Sequence, residues 1–272
     1  MMMAIREKAI DGFYSNFTTE NGGHPSFAGK RKEDRDMKPS IRKGLRSIWW
    51  HPELVEGAIM CEFDIPFCPT TAKNPPSKML TWDEAKAIFH RRMKSGDIGF
   101  KDNSFVCFYS DDYKFDTFRG IWFSPKRAMR ILSHFKGIIT PDFSTYDDFP
   151  FPLKIWNTYR MRAFGYHAAV SGLEVINNVR GRGKNDFAYC FNGIETHSIV
   201  AIGTVGSGLK LLENRPGFEE WLKEMVRRLS PKIILVYGSS NYACFEEAKA
   251  LGIEIITYEA STSRRWKGRN DE

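Results

Sequence analysis

Two kinds of hydrophobic pattern alternate along this chain. Short, nearly continuous apolar runs predict strands covered on both faces, because a strand with one face in water would alternate apolar and polar residues. Seven such runs occur, at residues 57–65, 104–110, 137–141, 173–179, 198–204, 232–237 and 253–258. They predict the strands of a buried, mainly parallel sheet.

Stretches with apolar residues three and four positions apart separate most of these runs, and this spacing predicts helices. Thr81-Trp82-Asp83-Glu84 has the sequence of a capping box, which starts a helix. Ser124-Pro125 also has a helix-starting sequence, since Pro is favoured in the first turn. Further helices are predicted near residues 152–168, from Pro216, and through Phe245 as far as Gly252.

Strands that alternate with helices indicate βα repetition. Two α/β architectures fit, an incomplete or distorted (β/α) barrel and an open doubly wound parallel sheet. Polar residues follow nearly every predicted strand: Asp64, Asp111, Asp142, Asn178, Thr204, Tyr237 and Glu259. Strand ends of a barrel all converge on one mouth, whereas an open sheet uses mainly its switch point. The pattern therefore favours a barrel-like domain over residues 49–260.

Composition adds limits to this picture. A chain of 272 residues with 42% hydrophobic content can bury the core of one large α/β domain. No apolar run approaches the length of a membrane span, so we expect no membrane partner. The five cysteines form no C-x-x-C, and the histidines form no H-E-x-x-H. We therefore predict neither a disulfide framework nor a structural zinc site, and a cytoplasmic location.

The net charge of +7 is concentrated at the two ends of the chain. Residues 1–48 carry 10 Lys and Arg against 6 Asp and Glu, and residues 264–272 carry 4 against 2. We interpret residues 1–48 as a basic flexible arm and 261–272 as a basic tail. Such ends either attract polyanions or are merely solvated. A nearly neutral body argues against a phosphate-tracking groove across the whole domain.

Acidic residues at strand ends are the candidate catalytic groups. Asp142 follows Pro141, which fixes the preceding backbone, and a carboxylate at a rigid strand end suits preorganised catalysis. Asp111 and Asp112 are adjacent, so only one is expected to face the mouth. These carboxylates could act as a general base or bind Mg²⁺, a candidate cofactor, but Asp also caps helices.

Asn157 and Arg160 are three positions apart and so share one face of the predicted helix. Arg160 could clamp a phosphate or carboxylate, or form an internal salt bridge to Asp142 or Asp112. We predict that Asp142 and Arg160 lie close together, with Asp111 or Asp112 nearby. The other candidate substrate-binding residues are Tyr146, Asn178, Arg180, Thr204 and Tyr237.

Several dispersed motifs also carry a resemblance. They are 108–115, 141–148, Ile155-Trp156-Asn157-Thr158-Tyr159-Arg160, Val175-Ile176, Cys190-Phe191-Asn192-Gly193, 200–206 and Ile234-Leu235-Val236-Tyr237-Gly238. Together they resemble domain-of-unknown-function family 4417 over roughly residues 100–240. The resemblance implies a bacteriophage or mobile-element protein in a bacterial host cell, and little chemistry. Arg180 departs from the family pattern, since an aromatic residue is expected after Val179.

Two functions remain open. The first is an enzyme with an acidic strand-end pocket that acts on a nucleotide, a nucleobase or another phosphorylated substrate. A base-exchange enzyme with paired aspartates on a barrel is one version, although the zinc-binding cysteine cluster of many such enzymes is absent from the sequence. The second is a non-catalytic accessory protein that binds DNA or a host protein through its basic ends. The sequence leaves the oligomeric state open.

Overall fold

In residues 49–263, which the computed structural model describes, seven parallel strands form one sheet. Each strand pairs with the next one along the chain. They are β1 (Met79–Thr81), β2 (Asp102–Cys107), β3 (Phe135–Ile139), β4 (Glu174–Asn178), β5 (Ile199–Gly203), β6 (Ile233–Tyr237) and β7 (Glu254–Tyr258). The sheet curls into a half-barrel. The predictions for the 1–48 arm and for most of the basic tail concern residues outside the described ones.

Five α-helices connect these strands within the described residues. They are α1 (Trp82–Lys94), α2 (Pro125–Leu132), α3 (Phe151–Val170), α4 (Arg215–Leu229) and α5 (Ala243–Ala250). The predicted capping box is present: the Thr81 hydroxyl accepts from the Glu84 N–H at 3.3 Å, and the Glu84 carboxylate accepts from the Thr81 N–H at 2.7 Å. The connection from β4 to β5 contains no α-helix and is shaped by short turns.

Strand order separates the two architectures that the sequence left open. A doubly wound sheet reverses its order at the switch point, whereas this sheet runs from β1 to β7 without reversal. The helices pack in two apolar clusters against one set of strand residues. The alternate strand residues form a third cluster that contains no helix residue. Within residues 49–263, helices thus cover one face only, and the barrel-like prediction is confirmed.

The other, concave face is a packed core. Phe105, Ile176 and Leu235 are all fully buried there. The connection that precedes β1 contacts the last strand, since Tyr258 of β7 donates its hydroxyl proton to the Pro76 carbonyl at 2.5 Å. A packed interior leaves the loops at the carboxyl edge of the sheet as the place for a site, as in complete βα barrels.

The strand predicted at residues 57–65 was wrong. This segment contains a short 3₁₀ turn at Glu62–Asp64, and its ladder contact is a single bridge between Met60 and Pro66. Asp64 has a φ of 55°, which an extended strand does not allow. The first strand is β1, whose three residues are too few to produce a visible run. Among the described residues, no helix is both long and apolar enough to cross a membrane.

Candidate functional site at the carboxyl edge of the sheet

Parallel pairing brings six of the seven predicted strand-end residues to one edge, and Glu259, which directly follows β7, is one of them. Asn178 and Tyr237 are the last residues of β4 and β6, and Thr204 directly follows β5. Asp111 and Asp142 lie in the loops after β2 and β3. The common edge predicted for these positions is therefore confirmed, while Asp64 is not at a strand end.

A chain of hydrogen bonds, which we call the open network, holds the Asp142 carboxylate. Its Oδ1 accepts from Nδ2 of Asn178 at 2.7 Å, and its Oδ2 accepts from Nη1 of Arg180 at 2.6 Å. Oδ1 of Asn178 in turn accepts from the Tyr109 hydroxyl at 3.0 Å. Fully buried Asn178 holds one carboxylate oxygen and Arg180 holds the other, so both oxygens are fixed from the protein side.

Tyr109 is positioned by close packing on the concave face. Its ring stacks on Tyr237 with centroids 4.9 Å apart. A Cβ at Gly203 would lie 2.6 Å from this ring, so only glycine fits there. Burial raises the pKa of Tyr109 well above its usual range, and the Asp142 charge raises it further. The phenol therefore keeps its proton and remains a donor to Asn178.

Arg162 fixes the end of β4 from the helix side. This fully buried residue of α3 donates to the carbonyls of Asn178, Cys190 and Asn192 at 2.9, 3.2 and 3.1 Å. Burial lowers its pKa to about 10. Three carbonyl acceptors take the place of a carboxylate partner, so the backbone that carries Asn178 is held rigidly.

A cleft of about 80 Å³ opens beside the open network. Its polar lining comes from Asp142, Tyr146, Arg180, Arg182 and Ser207. Tyr146 is 49% exposed, and the Arg180 guanidinium lies 5.7 Å from its ring centroid. Arg182 is held by its backbone N–H, which donates to buried Asp186 at 2.8 Å, while its guanidinium reaches exposed Asp147 at 3.2 Å. Two guanidiniums therefore face this cleft against one enclosed carboxylate.

A second, larger cleft of about 750 Å³ lies between the loops after β5, β6 and β7. Val205 and Gly206 line both clefts. The lining of the second is rich in hydroxyl and amide groups, including Ser239, Ser240, Asn241 and Thr257. Thr204 ties two of these loops, because its hydroxyl accepts from the Ser239 N–H at 2.8 Å. Gly206 has a φ of +76°, so the loop that separates the clefts needs glycine.

Arg160 does not form the internal salt bridge to Asp142 or Asp112 that the sequence left open, because its carboxylate partner is Asp116. Arg160 donates through Nη1 to both carboxylate oxygens of Asp116, at 2.7 and 2.8 Å, and through Nη2 to Asn157 at 2.6 Å. Asn157 and Arg160 do share a helix face. The carboxylate partner of Arg160 comes from the loop after β2. The Phe143 ring covers the guanidinium at 3.8 Å. Asn157 also donates to the Ser144 carbonyl, and we call Asp116, Ser144, Asn157 and Arg160 the closed network.

Asp111 and Asp112 point in different directions. Asp111 is exposed and pairs with Lys114 at 3.2 Å, whereas Asp112 accepts from the Ser144 N–H at 3.2 Å and the Ser144 hydroxyl at 2.9 Å. Burial raises the pKa of Asp112. The Ser144 hydrogen bonds act in the opposite direction and lower this pKa, while the negative charge of Asp142 raises it further. Asp112 thus lies within electrostatic reach of the open network.

Sequence reasoning missed Asp116, Arg182 and Asp186. Asp186 is buried, receives a hydrogen bond from Tyr189 and lies 3.8 Å from Nζ of Lys154. None of the three lies directly at a strand end, so the pattern used for the other candidates does not select them. Among residues 49–263, no group of three or more His, Cys, Asp or Glu side chains is arranged to hold a metal ion.

Comparison with known proteins finds one family and phage relatives. The family model described as "Domain of unknown function (DUF4417)" matches residues 58–259. The "Gene 1 protein" of Mycobacterium phage L5 is 31% identical over 167 residues, which cover 61% of this chain and 68% of the relative. That of Mycobacterium phage D29 is 33% identical over 167 residues, covering 61% and 57%. No solved structure matches.

Proposed function

The chain belongs to the DUF4417 family, and from its carboxyl-edge geometry we propose that it is an enzyme acting on a nucleotide or another small phosphorylated molecule. The observation that carries this proposal is the Asp142 carboxylate, which is held by Asn178 and Arg180 at the wall of a cleft. A carboxylate that serves only to neutralise an arginine does not need a buried amide and a buried phenol to orient it. Catalytic groups do need such support.

Charge favours an anionic substrate. The smaller cleft presents Arg180 and Arg182, and the exposed pair of Arg182 with Asp147 contributes little and is easily exchanged for a ligand. Guanidinium groups bind phosphate through paired N–H donors. The phosphate would lie against Arg182 and Ser207, and the part of the substrate that reacts would lie against Asp142.

Space and chemistry favour a ligand as large as a nucleotide. Val205 and Gly206 line both clefts, and the space beside Gly206 is open, so one ligand could extend from the smaller cleft into the larger. Hydroxyl and amide groups of the larger cleft suit the uncharged sugar and base. Tyr146 adds a half-exposed ring on which a base can stack.

Two carboxyl groups supply the acid–base chemistry of this proposal. Asp142, the carboxylate that touches the substrate, is the proposed general base, or the nucleophile if the reaction is a base exchange. Asp112 has a pKa raised by burial, so it holds a proton at a higher pH than an ordinary carboxyl group and suits a general acid. Mg²⁺ remains a candidate cofactor in the same proposal.

A thermal-shift screen of the full chain tests this proposal. Ribonucleoside monophosphates and inorganic phosphate are each added with and without Mg²⁺. A ligand at ten times its Kd should raise the melting temperature by roughly 3–5 °C. Arg182→Gln should remove that shift, and Arg227→Gln, at an exposed pair on α4, should keep it. No shift with any phosphorylated compound, or equal shifts in both variants, would contradict the proposal.

The charged ends favour a second candidate, a DNA-binding accessory protein. Residues 1–48 and 264–272 supply most of the +7 charge. Deleting residues 1–45 should leave the melting temperature nearly unchanged and flatten the salt dependence of DNA binding. DNA binding that keeps the same salt slope after the deletion would rule out a role for the arm.

A further inference from the structure

The stretch from residue 117 to 141 is basic throughout. It contains Arg119, Lys126, Arg127, Arg130 and Lys136, and no Asp or Glu. Three of these cations lie on the outer face of α2, where all three are exposed, while Ala128, Ile131 and Leu132 of the same helix are buried. The nearly neutral charge of the whole domain therefore conceals a strongly positive local surface.

Helix stability does not account for Lys126 and Arg127. Lys126 and Arg127 lie in the first turn of α2, where the helix dipole favours acidic residues. Arg130 is four positions from Lys126 and three from Arg127, so like charges repel along the face. Within residues 49–263, none of the three forms an ion pair with a carboxylate. The positive face lacks a counter-charge in the described protein.

Exposed aromatic rings lie beside this face. Phe118 is 75% exposed, and its carbonyl accepts from the Ser124 hydroxyl at 3.0 Å, which places it next to the first turn of α2. Its ring contacts Phe123 at 5.5 Å, and Phe123 contacts Trp49 at 5.2 Å. Trp49 is 58% exposed. A row of three rings, two of them accessible, thus borders the cations.

We propose that this α2 surface binds single-stranded nucleic acid. It consists of Trp49, Phe118, Arg119, Lys126, Arg127 and Arg130. Lysine and arginine neutralise phosphates, and accessible aromatic rings stack on unpaired bases. A duplex satisfies the cations but offers the rings no unstacked base. The surface is distinct from the cleft that holds Asp142, so it is a binding function separate from the proposed catalysis.

Fluorescence anisotropy of the full chain with labelled oligothymidylate and with a duplex of equal length tests the proposal. One variant combines Lys126→Gln, Arg127→Gln and Arg130→Gln. A control with the same charge change combines Lys73→Gln, Lys78→Gln and Lys232→Gln, at exposed positions outside the α2 surface. Loss of three phosphate contacts should lower the slope of log affinity against log salt by about two, in the α2 variant alone.

Phe118→Ala supplies the second readout. Loss of one stacking ring should weaken oligothymidylate binding about tenfold without a change in salt slope, and should leave duplex binding unchanged. Thermal melting confirms that each variant is folded. Equal losses in the α2 and control triples, or an unchanged affinity in Phe118→Ala, would overturn the proposal. Binding to anionic phosphatidylserine vesicles without binding to oligothymidylate would assign the surface to membranes instead.

Discussion

The closed and open networks lie at the same edge of the sheet, and each contains an ion pair between Arg and Asp. In the closed network, Arg160 and Asp116 have side chains only 7% and 16% exposed, and Phe143 covers the guanidinium. In the open network, the side chains of Arg180 and Asp142 are 27% and 13% exposed, so the difference lies in the arginine and in the cleft that the pair lines beside half-exposed Tyr146. One pair is sealed by its surroundings, and the other can be reached by a ligand.

This difference separates structural from functional charge. A buried charge must be paired, so the closed network needs no purpose beyond joining α3 to the loop after β2. The open network is also paired, but its carboxylate is additionally oriented through Asn178 by Tyr109. We therefore expect substitutions in the closed network to cost stability and those in the open network to cost binding.

The largest loss of stability is expected for Asp116→Asn. It removes the charge that neutralises Arg160, which is 6% exposed. Leaving a buried charge without its partner costs about 3 kcal/mol. Urea denaturation measures this loss. Asp111→Asn, at the exposed pair with Lys114, is the control and should change the free energy of unfolding by less than about 0.5 kcal/mol. Similar values for the two variants would remove the distinction between sealed and exposed pairs.

Tyr109→Phe is expected to have an intermediate effect. It deletes the donor to Asn178 and keeps the ring stacked on Tyr237, so the free energy of unfolding should fall by about 1–2 kcal/mol. The orientation of Asp142 should loosen as well, so any nucleotide-induced rise in melting temperature should shrink. A variant that loses stability but keeps the full nucleotide response would show that the phenol does not support the site.

A smaller, pH-dependent effect is expected for Asp112→Asn. Burial raises the pKa of Asp112 in the folded protein, so the folded state binds this proton more tightly than the unfolded chain does. Its contribution to stability is present below the usual carboxyl range and is lost as pH rises through the raised pKa. Asparagine stays neutral and avoids that loss.

The free energy of unfolding of Asp112→Asn should therefore increase relative to that of the wild type as pH increases from 4 to 7. Urea denaturation at several pH values gives the difference in free energy of unfolding, and the trend with pH matters more than its absolute size. Asp111→Asn, in the exposed neighbour, should show no such trend. A difference that moves in favour of the wild type as pH rises would mean that Asp112 is stabilised as a carboxylate.

The local sequence predicts most of the strands of the sheet, but it predicts little of the side-chain pairing within the site. Continuous apolar composition reports burial on both faces, so the run at 232–237 became β6 (Ile233–Tyr237). The run at 57–65 failed because five of its nine residues are exposed and Glu62–Asp64 form a 3₁₀ turn. Parallel topology then put Asp142 and Asn178 at one edge. The partner of Arg160 could not be predicted, because Asp111, Asp112 and Asp116 are close in sequence and the loop fold decides which one faces α3.

The central claim, that Asp142 serves a ligand and Asp116 serves the fold, is tested most directly by one set of thermal shifts. Ribonucleoside monophosphates and inorganic phosphate are compared in the wild type, Asp142→Asn and Asp116→Asn. We predict that Asp142→Asn melts within a few degrees of the wild type and loses the extra stabilisation that nucleotides give over phosphate. Asp116→Asn should have a much lower melting temperature and keep the extra stabilisation that nucleotides give over phosphate. If Asp142→Asn melts sharply lower and responds to nucleotides as the wild type does, the open network is only a second buried ion pair.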